Sequence, residues 1–350
     1  VISHEGASGN VALCLADGAS APVSALAQGR FRYNSALSRL EYSENGGPWT
    51  PLTSGGSGGG WTDDGLVVRL TTATDTVSVG NNLMAGTEKL RVTGGALLAD
   101  GTVGATPVSG AGVRLMWTPS KYALRAGEVT ATQWDAVNIG DWSAGFGLDV
   151  IASGAASFAA NRDTLASGDI SAAFGNGSQS EAVHSTAFGS WSKARRPGQV
   201  AMATGYFAAP GDFQQSLITM RRRSTSAFPT DLTIDGGAPA GVALPTSNRF
   251  ILEDNFTYTF EVLVQARNEA ASESKSWAFF CQMKRDVGAG TTALVGPVSK
   301  SIIGQTPAAA TWDANLVADA ANGAFVVRVN GQAGKNIRFG AGIRWIEVGT

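Results

Sequence analysis

Histidine is almost missing: His4 and His184 are the only two in 350 residues. Cysteine is equally scarce, with Cys14 and Cys281 far apart. Groups this few and this scattered do not form a transition-metal site. Nor do they form a disulfide framework, so both cysteines are expected as small buried apolar side chains. Charged residues make up only 15% of the chain and the net charge is −2, so no basic field argues for nucleic acid or an anionic membrane surface. No run of about eighteen apolar residues is present, which excludes a membrane-spanning helix. No signal-peptide pattern is visible, and the start at Val1 rather than Met suggests a fragment or a processed product.

Catalytic patterns are scarce too. His184 precedes Ser185 inside a repeat described below, where a turn position suits it. No nucleophile elbow with an orienting downstream histidine stands out. The Gly-rich stretch 55–60 lacks the Lys-Ser/Thr ending of a phosphate loop. Glycoside hydrolysis needs two carboxylates about 5–9 Å apart across a substrate. The pairs Asp63-Asp64 and Glu253-Asp254 are adjacent in sequence, so on a strand they would point to opposite faces. Asp254-Asn255 gives only a faint calcium pattern. The expectation is therefore no catalytic residue, no metal, no cofactor and no enzyme activity.

What is abundant is glycine, 45 residues of it, with alanine, serine and threonine, and long helical heptads are absent. Such a chain is expected to be all-β, loop-rich and extended. Residues 138–210 line up with themselves in steps of fourteen. One column runs Ser143, Ser157, Ser171, Ser185 and Gln199. Two places on comes a tiny column, Gly145, Ala159, Ala173, Ala187 and Ala201. Next is a mostly large column, Phe146, Ala160, Phe174, Phe188 and Met202, and then Gly147, Asn161, Gly175, Gly189 and Ala203. A second small column runs Ala152, Ala166, Ser180, Ala194 and Ala208. Fourteen residues suit two short strands and two tight turns, one coil of a parallel β-roll. Phe146, Phe174 and Phe188 are expected to stack as an internal ladder. So thin a roll buries little alone, so the tiny column is expected to face its copies across an axis, favouring a homo-oligomer. Asn161 in a glycine column, and Phe158 off its column, predict a distorted second coil. Arg195-Arg-Pro-Gly198 breaks the pattern of the last one.

The remaining segments sort by composition and alternation. Residues 1–60 are expected to form an extended shaft or tether. Within them Phe31 and Tyr33 alternate against Leu40 and Tyr42 as a hairpin, and 54–60 is a Gly-Ser linker. Residues 61–136 suggest a small β adaptor that caps the roll of residues 137–212. Residues 213–350 alternate over long runs: Phe256 to Val264, Trp277 to Met283, and Ile337 to Trp345. They are expected to fold as an antiparallel β-sandwich of jelly-roll type. For binding, Arg221 and Arg223 share a strand face with Arg222 opposed. They suit either a solvated, charge-protected edge or contact with an acidic polysaccharide. Trp191 and Trp312, placed in turns or loops, are the candidates for stacking on a sugar.

Ser171-Ala-Ala-Phe-Gly175 and Ser185-Thr-Ala-Phe-Gly189, with Ala152-Ser-Gly154 and Ala166-Ser-Gly168, resemble the head repeats of trimeric autotransporter adhesins, which also occur in phage tail fibres. Arg32-Tyr-Asn-Ser35, Leu40 to Trp49, Gly110 to Lys121 and Trp134 to Gly140 are similar to stretches of tail-fibre-like proteins. Trp312-Asp313 and Gly334 to Arg338 resemble C-terminal sandwich domains of phage tail proteins. The resemblance implies a left-handed roll, a homotrimer, and a distal domain that meets a host receptor, a glycan or a protein. It implies other tail or baseplate proteins as partners, and a place on a virion tail or other extracellular particle. The alternatives are a bacterial trimeric surface adhesin, disfavoured because no membrane anchor follows Gly349-Thr350, and a fibre-borne polysaccharide depolymerase.

Overall fold

A computed structural model describes residues 104–237 and 248–350 throughout, with parts of 23–52, 61–63 and 68–70. The chain divides into two units, Val1–Leu97 and Leu98–Thr350.

In the first unit β1 (Gly29–Asn34), β2 (Arg39–Glu44) and β3 (Thr50–Pro51) form an antiparallel meander. Phe31 stands opposite Tyr42 and Tyr33 opposite Leu40, the hairpin that the alternation predicts. Asn45 and Gly46 turn with positive φ, as a tight Asn-Gly turn requires. Glu41 is buried between two cations, with Arg32 Nε at 2.8 Å and Arg39 Nε at 2.9 Å. The Arg32 guanidinium does most to hold its carboxyl down at about 2. β4 (Trp61–Asp63) and β5 (Val68–Leu70) pair antiparallel. The Gly-Ser stretch 54–60 lies outside the described residues, as do Cys14, His4 and Asp64.

The second unit opens with a hairpin, β6 (Gly112–Thr118) and β7 (Ala123–Val129). The roll follows. Its longer strands are β8 (Ala144–Leu148), β10 (Phe158–Arg162), β12 (Ala172–Asn176), β14 (Thr186–Ser190) and β16 (Val200–Thr204). They alternate along the chain with β9 (Ile151–Ala152), β11 (Leu165–Ala166), β13 (Gln179–Ser180) and β15 (Lys193–Ala194). The result is a β-solenoid of about four turns. The parallel register is the sequence period itself: Gly145, Ala159, Ala173, Ala187 and Ala201 pair in series, and so do Ala152, Ala166, Ser180 and Ala194.

Two expectations about the roll are corrected. The tiny column does not face other copies. Ala159, Ala173, Ala187 and Ala201 are all 0% exposed within one chain and cluster with alanines of the opposite wall, Ala166 and Ala194 among them. The phenylalanine column is not internal: Phe146 is 36% and Phe188 41% exposed. The reason is the two-residue alternation of a strand. Once a methyl column points inward, the column beside it must point out. The ladder itself exists on that outer face, with Phe174 and Phe188 stacked at 5.3 Å.

The second coil keeps its register, so the expected distortion is absent. Ala160 leaves a gap in the ladder, and Phe158, two residues earlier on the same face, fills it. Its ring lies 5.7 Å from that of Phe146 and 5.4 Å from that of Phe174. Asn161 takes φ +88° in a column where Gly147 has +130° and Gly175 +113°. Asn is among the few side chains that tolerate positive φ. The glycines have a second reason: a Cβ on Gly175 would lie 1.8 Å from the Gly189 carbonyl oxygen of the next coil.

Both ends of the roll are closed. β7 pairs in parallel with β8. Arg125 of β7 replaces the tiny residue of the column and reaches over the first coil. Its Nη2 donates to Ser143 Oγ and to the Ala152 carbonyl, both at 2.8 Å. Burial pulls this guanidinium down to about 10. Trp134, also buried, donates its indole N–H to Val150 O at 2.9 Å. At the far end β16 pairs antiparallel with β17 (Phe213–Ser224), the first strand of the C-terminal fold.

That fold continues with β18 (Pro229–Asp231), β19 (Phe250–Ile251), β20 (Phe256–Asn268), β21 (Ser274–Arg285) and β22 (Ala293–Leu294). β23 (Ser299–Gln305), β24 (Asp313–Asp319), β25 (Ala324–Asn330) and β26 (Ile337–Gly349) complete it. Strands β22, β21, β20, β26 and β17 extend the sheet of the roll, with β23 paired to β21. Among the described residues this makes one thirteen-stranded sheet. β18, β25, β19 and β24 form a second sheet. The two sheets enclose one core, to which Phe260, Trp277, Ile343 and Trp345 come from the first and Phe250, Leu316, Phe325 and Val327 from the second. Each large side chain buried here contributes about 1.5–3 kcal/mol.

The break in the last repeat acquires a purpose. Arg195 and Arg196 leave the roll and meet Glu347 of β26, which is 0% exposed. Arg195 Nη1 lies 3.3 Å from Glu347 Oε1, and Arg196 Nη1 lies 3.8 Å from Oε2. Gln214 Nε2 and Trp345 Nε1 also donate to this carboxylate. Arg196 is further held by Ile251 O at 2.9 Å and lies over the Phe250 ring at 4.4 Å. Gln199, standing in the serine column, donates to Ser216 Oγ of β17 at 2.9 Å.

Candidate functional site

The outer face of the β17–β26–β20 sheet is read off in rows. Alternation sends Arg221 and Arg223 of β17 outward and Arg222 inward, as the sequence predicts. Arg223 stands opposite Arg338 of β26, and Arg338 opposite Arg267 of β20, so three arginines lie side by side. Strand spacing puts neighbours in such a row about 4.8 Å apart at the backbone. The next row is Arg221, Gly340 and Gln265. Together these residues line a cleft of about 600 Å³, with Asp235 and Glu269 at its margin.

Glu269 bonds to Arg223 and, at 2.7 Å, to Arg338. Those two guanidinium groups, Arg223 foremost, hold its carboxyl below the ordinary range. Arg221 Nη2 donates to the Asp235 carbonyl oxygen at 2.9 Å. Gly340 leaves the middle of the cleft open, since a Cβ there would meet nothing within 4 Å. Sequence reasoning found Arg221 and Arg223 and missed Arg267 and Arg338. All four sit at outward positions of alternating strands, but only the pairing of β17, β26 and β20 brings them together. No local signal spans those separations.

The two tryptophan candidates fare differently. Trp312 is 1% exposed, with its indole N–H 3.3 Å from Gln332 Oε1, so its proposed role as a sugar platform is corrected: it is a core residue. Trp191 is half-buried with φ +63°. It packs over Gly177 and meets Tyr206 edge-on at 5.1 Å. A second surface feature is apolar. The outward ladder from Phe146 to Phe188 and Met202 runs on into Phe213 and Ile346, which share a groove of about 480 Å³ with Phe188 and Met202.

Of the carboxylates at issue, Glu253 and Asp254 are engaged. Asp254 Oδ1 lies 2.6 Å from Arg285 Nε, and Glu253 Oε1 lies 3.5 Å from Arg196 Nη2. His184 occupies a turn with φ +57°. Cys281 is buried in the core between the two sheets, and burial pushes its thiol up to about 12. Among the described residues, no cluster of three or more His, Cys, Asp or Glu could hold a metal ion. No helix among them is long and apolar enough to cross a membrane.

No family model matches the chain, and no curated protein matches it. Among solved structures it is similar to the tailspike gp49 of Acinetobacter baumannii bacteriophage Fri1, described as a capsular polysaccharide depolymerase. That likeness has a TM-score of 0.23 at 10% identity and covers 59% of this chain and 39% of that one. The tailspike of Acinetobacter baumannii phage AM24 matches with a TM-score of 0.20 at 8% identity, over 65% of this chain and 47% of that one. The tailspike of Acinetobacter phage vB_ApiP_P1 gives 0.15 at 10%, over 59% and 48%. The chain spans less than half the length of these solved chains. The expectation of a protein without enzyme activity is corrected by this comparison, because the Fri1 tailspike is described as a depolymerase.

Proposed function

We propose that the chain is a subunit of a phage-type tail fibre or tailspike that attaches to a cell-surface glycan. The observation that carries this reading is the single sheet running from the solenoid into the sandwich. A stiff rod that ends in a broad exposed sheet face suits a particle that must hold a binding surface at a distance. The adhesin-like and tail-fibre-like repeats support the same reading.

The working assembly is a homotrimer. The outward ladder of Phe146, Phe188 and Met202, continued by Phe213 and Ile346, supports it, because an apolar stripe of this length is covered in most soluble proteins. Three weak sites on one rod then act together, and avidity exceeds any single affinity. The N-terminal meander would pair with its copies as a shaft, and further tail or baseplate proteins would hold it on the virion.

Two measurements on the purified chain test this. Light scattering should give a mass near three times 35.9 kDa; a monomer refutes the assembly. Pull-down on intact bacteria and on isolated capsular polysaccharide should show binding, with reducing ends monitored for cleavage, the activity described for the Fri1 tailspike. Failure to bind any strain of a broad host panel refutes the attachment reading.

A further inference from the structure

We infer that the cleft beneath Arg223, Arg338 and Arg267 binds an anionic segment of a polysaccharide, with the sugar acid group across the arginine row and the sugar ring over Gly340. The inference rests on the tail-attachment reading and adds to it the chemical class of the glycan and the place where it binds.

Like charges directly opposite each other on neighbouring strands are destabilising. Here three guanidinium groups stand abreast on β17, β26 and β20. One carboxylate, Glu269, is shared by Arg223 and Arg338. The Arg267 guanidinium has no hydrogen-bond or ion-pair partner among the described residues; only its backbone is paired, to β26 and β21. The same face shows the ordinary solution three rows along, where Arg344 of β26 stands beside Glu261 of β20 and pairs with it. The arginine row is therefore a local departure from the pairing this sheet uses elsewhere.

Protection of a free edge explains only part of it. Beyond the reach of β16, the end of β17 that carries Arg223 is near an edge, and charge there discourages strand addition. Arg338 and Arg267 lie on β26 and β20, each paired on both sides. Positive charge on interior strands protects no edge. It does match a ligand that supplies the missing negative charge.

The shape favours a saccharide. Planar guanidinium forks bind carboxylate, sulfate or phosphate oxygens in pairs. Between Arg221 and Gln265 the row carries only Gly340, and Gly342 follows on the same face of β26. A Cβ at either glycine would meet open space. The trough is thus flanked by the Arg221 guanidinium and by the Gln265 side chain, whose Nε2 donates to Ala266 O at 3.0 Å, and floored by bare backbone, with room in its volume of about 600 Å³ for one or two sugar rings.

The test uses the full chain and three probes: an oligogalacturonate, a sulfated oligosaccharide, and a neutral dextran oligomer, titrated calorimetrically at low and high salt. At least one anionic probe should bind and dextran should not, with affinity falling as salt rises. Arg267→Ala should weaken the anionic probe at least tenfold. Gly340→Val, which fits the strand and fills the trough, should abolish binding at an unchanged thermal midpoint. The better anionic probe identifies carboxylate or sulfate as the group recognised. Equal binding of dextran, no binding of either anionic probe, or unchanged affinity in both variants overturns the inference. Attachment to host cells is measured in parallel. Variants that still attach like the wild type refute the cleft alone, whereas a wild-type chain that attaches to no host refutes the tail-attachment reading beneath it.

Discussion

Glu347→Leu should be among the most damaging single substitutions in the second unit. The carboxylate is fully buried and receives Gln214 Nε2, Trp345 Nε1 and Arg195 Nη1, with Arg196 Nη1 at 3.8 Å. Leucine fills similar space and returns none of these bonds. Arg196, itself buried, then keeps only Glu253 at 3.5 Å as a counter-charge, and that group is partly in solvent. Removing one partner of a buried ion pair costs about 3–5 kcal/mol, because the other charge is left uncompensated. For a unit of this size that lowers the thermal midpoint by roughly 10 °C. Arg196→Met should cost a similar amount. The double variant should cost clearly less than the sum, with a coupling of about 2 kcal/mol or more, because it removes both charges from the same apolar setting. Scanning calorimetry of the wild type and three variants gives all four values. It also shows whether the solenoid and the sandwich still melt together, since these side chains bridge the two. A loss below about 1 kcal/mol for Glu347→Leu, or strict additivity in the double variant, would refute the reasoning.

Four further substitutions probe the roll and its junction. Gly175→Ala combines φ +113° with a Cβ 1.8 Å from the next coil's carbonyl, so it should lose about 2–3 kcal/mol from backbone strain alone. Asn161→Gly in the same column should stay within about 1 kcal/mol; both are read by urea unfolding, and a harmless Gly175→Ala would contradict the register. Phe188→Ala removes a ring that is 41% exposed in the single chain. It should barely alter far-ultraviolet circular dichroism yet lower the mass seen by light scattering; an unchanged mass argues against the ladder as the face between copies. Asp212 accepts N–H bonds from Phe207, Ala208 and Ala209 at 2.5–2.9 Å. Burial alone would push this carboxyl up, but those bonds outweigh it and hold it below its usual 3.8. A carboxyl depressed in the folded state stabilises above its unfolded value, and that contribution is lost as pH falls below about 3.8 towards the folded one. Asp212→Asn should therefore flatten the fall of the thermal midpoint between pH 5 and pH 2.5, and an unchanged slope would exclude this linkage.

The periods of the fold are legible in the chain before it folds. A fourteen-residue repeat became the parallel register without adjustment, because a coil that closes on itself stacks equivalent residues directly over one another. The alternation from Phe256, Trp277 and Ile337 became three neighbouring strands, because burying one face of a sheet leaves a single favourable set of inward residues. Tertiary structure decided which way each column faces and what meets across strands. The space between the walls of the roll is too narrow for aromatic rings, so the alanines took the inside and the phenylalanines the outside. Trp312 was drawn into the core by sheets whose pairing no local pattern announces. Arg223, Arg267 and Arg338 became a row because β26 inserts between β17 and β20, and that insertion is a property of the folded sheet, set by burial on its inner face.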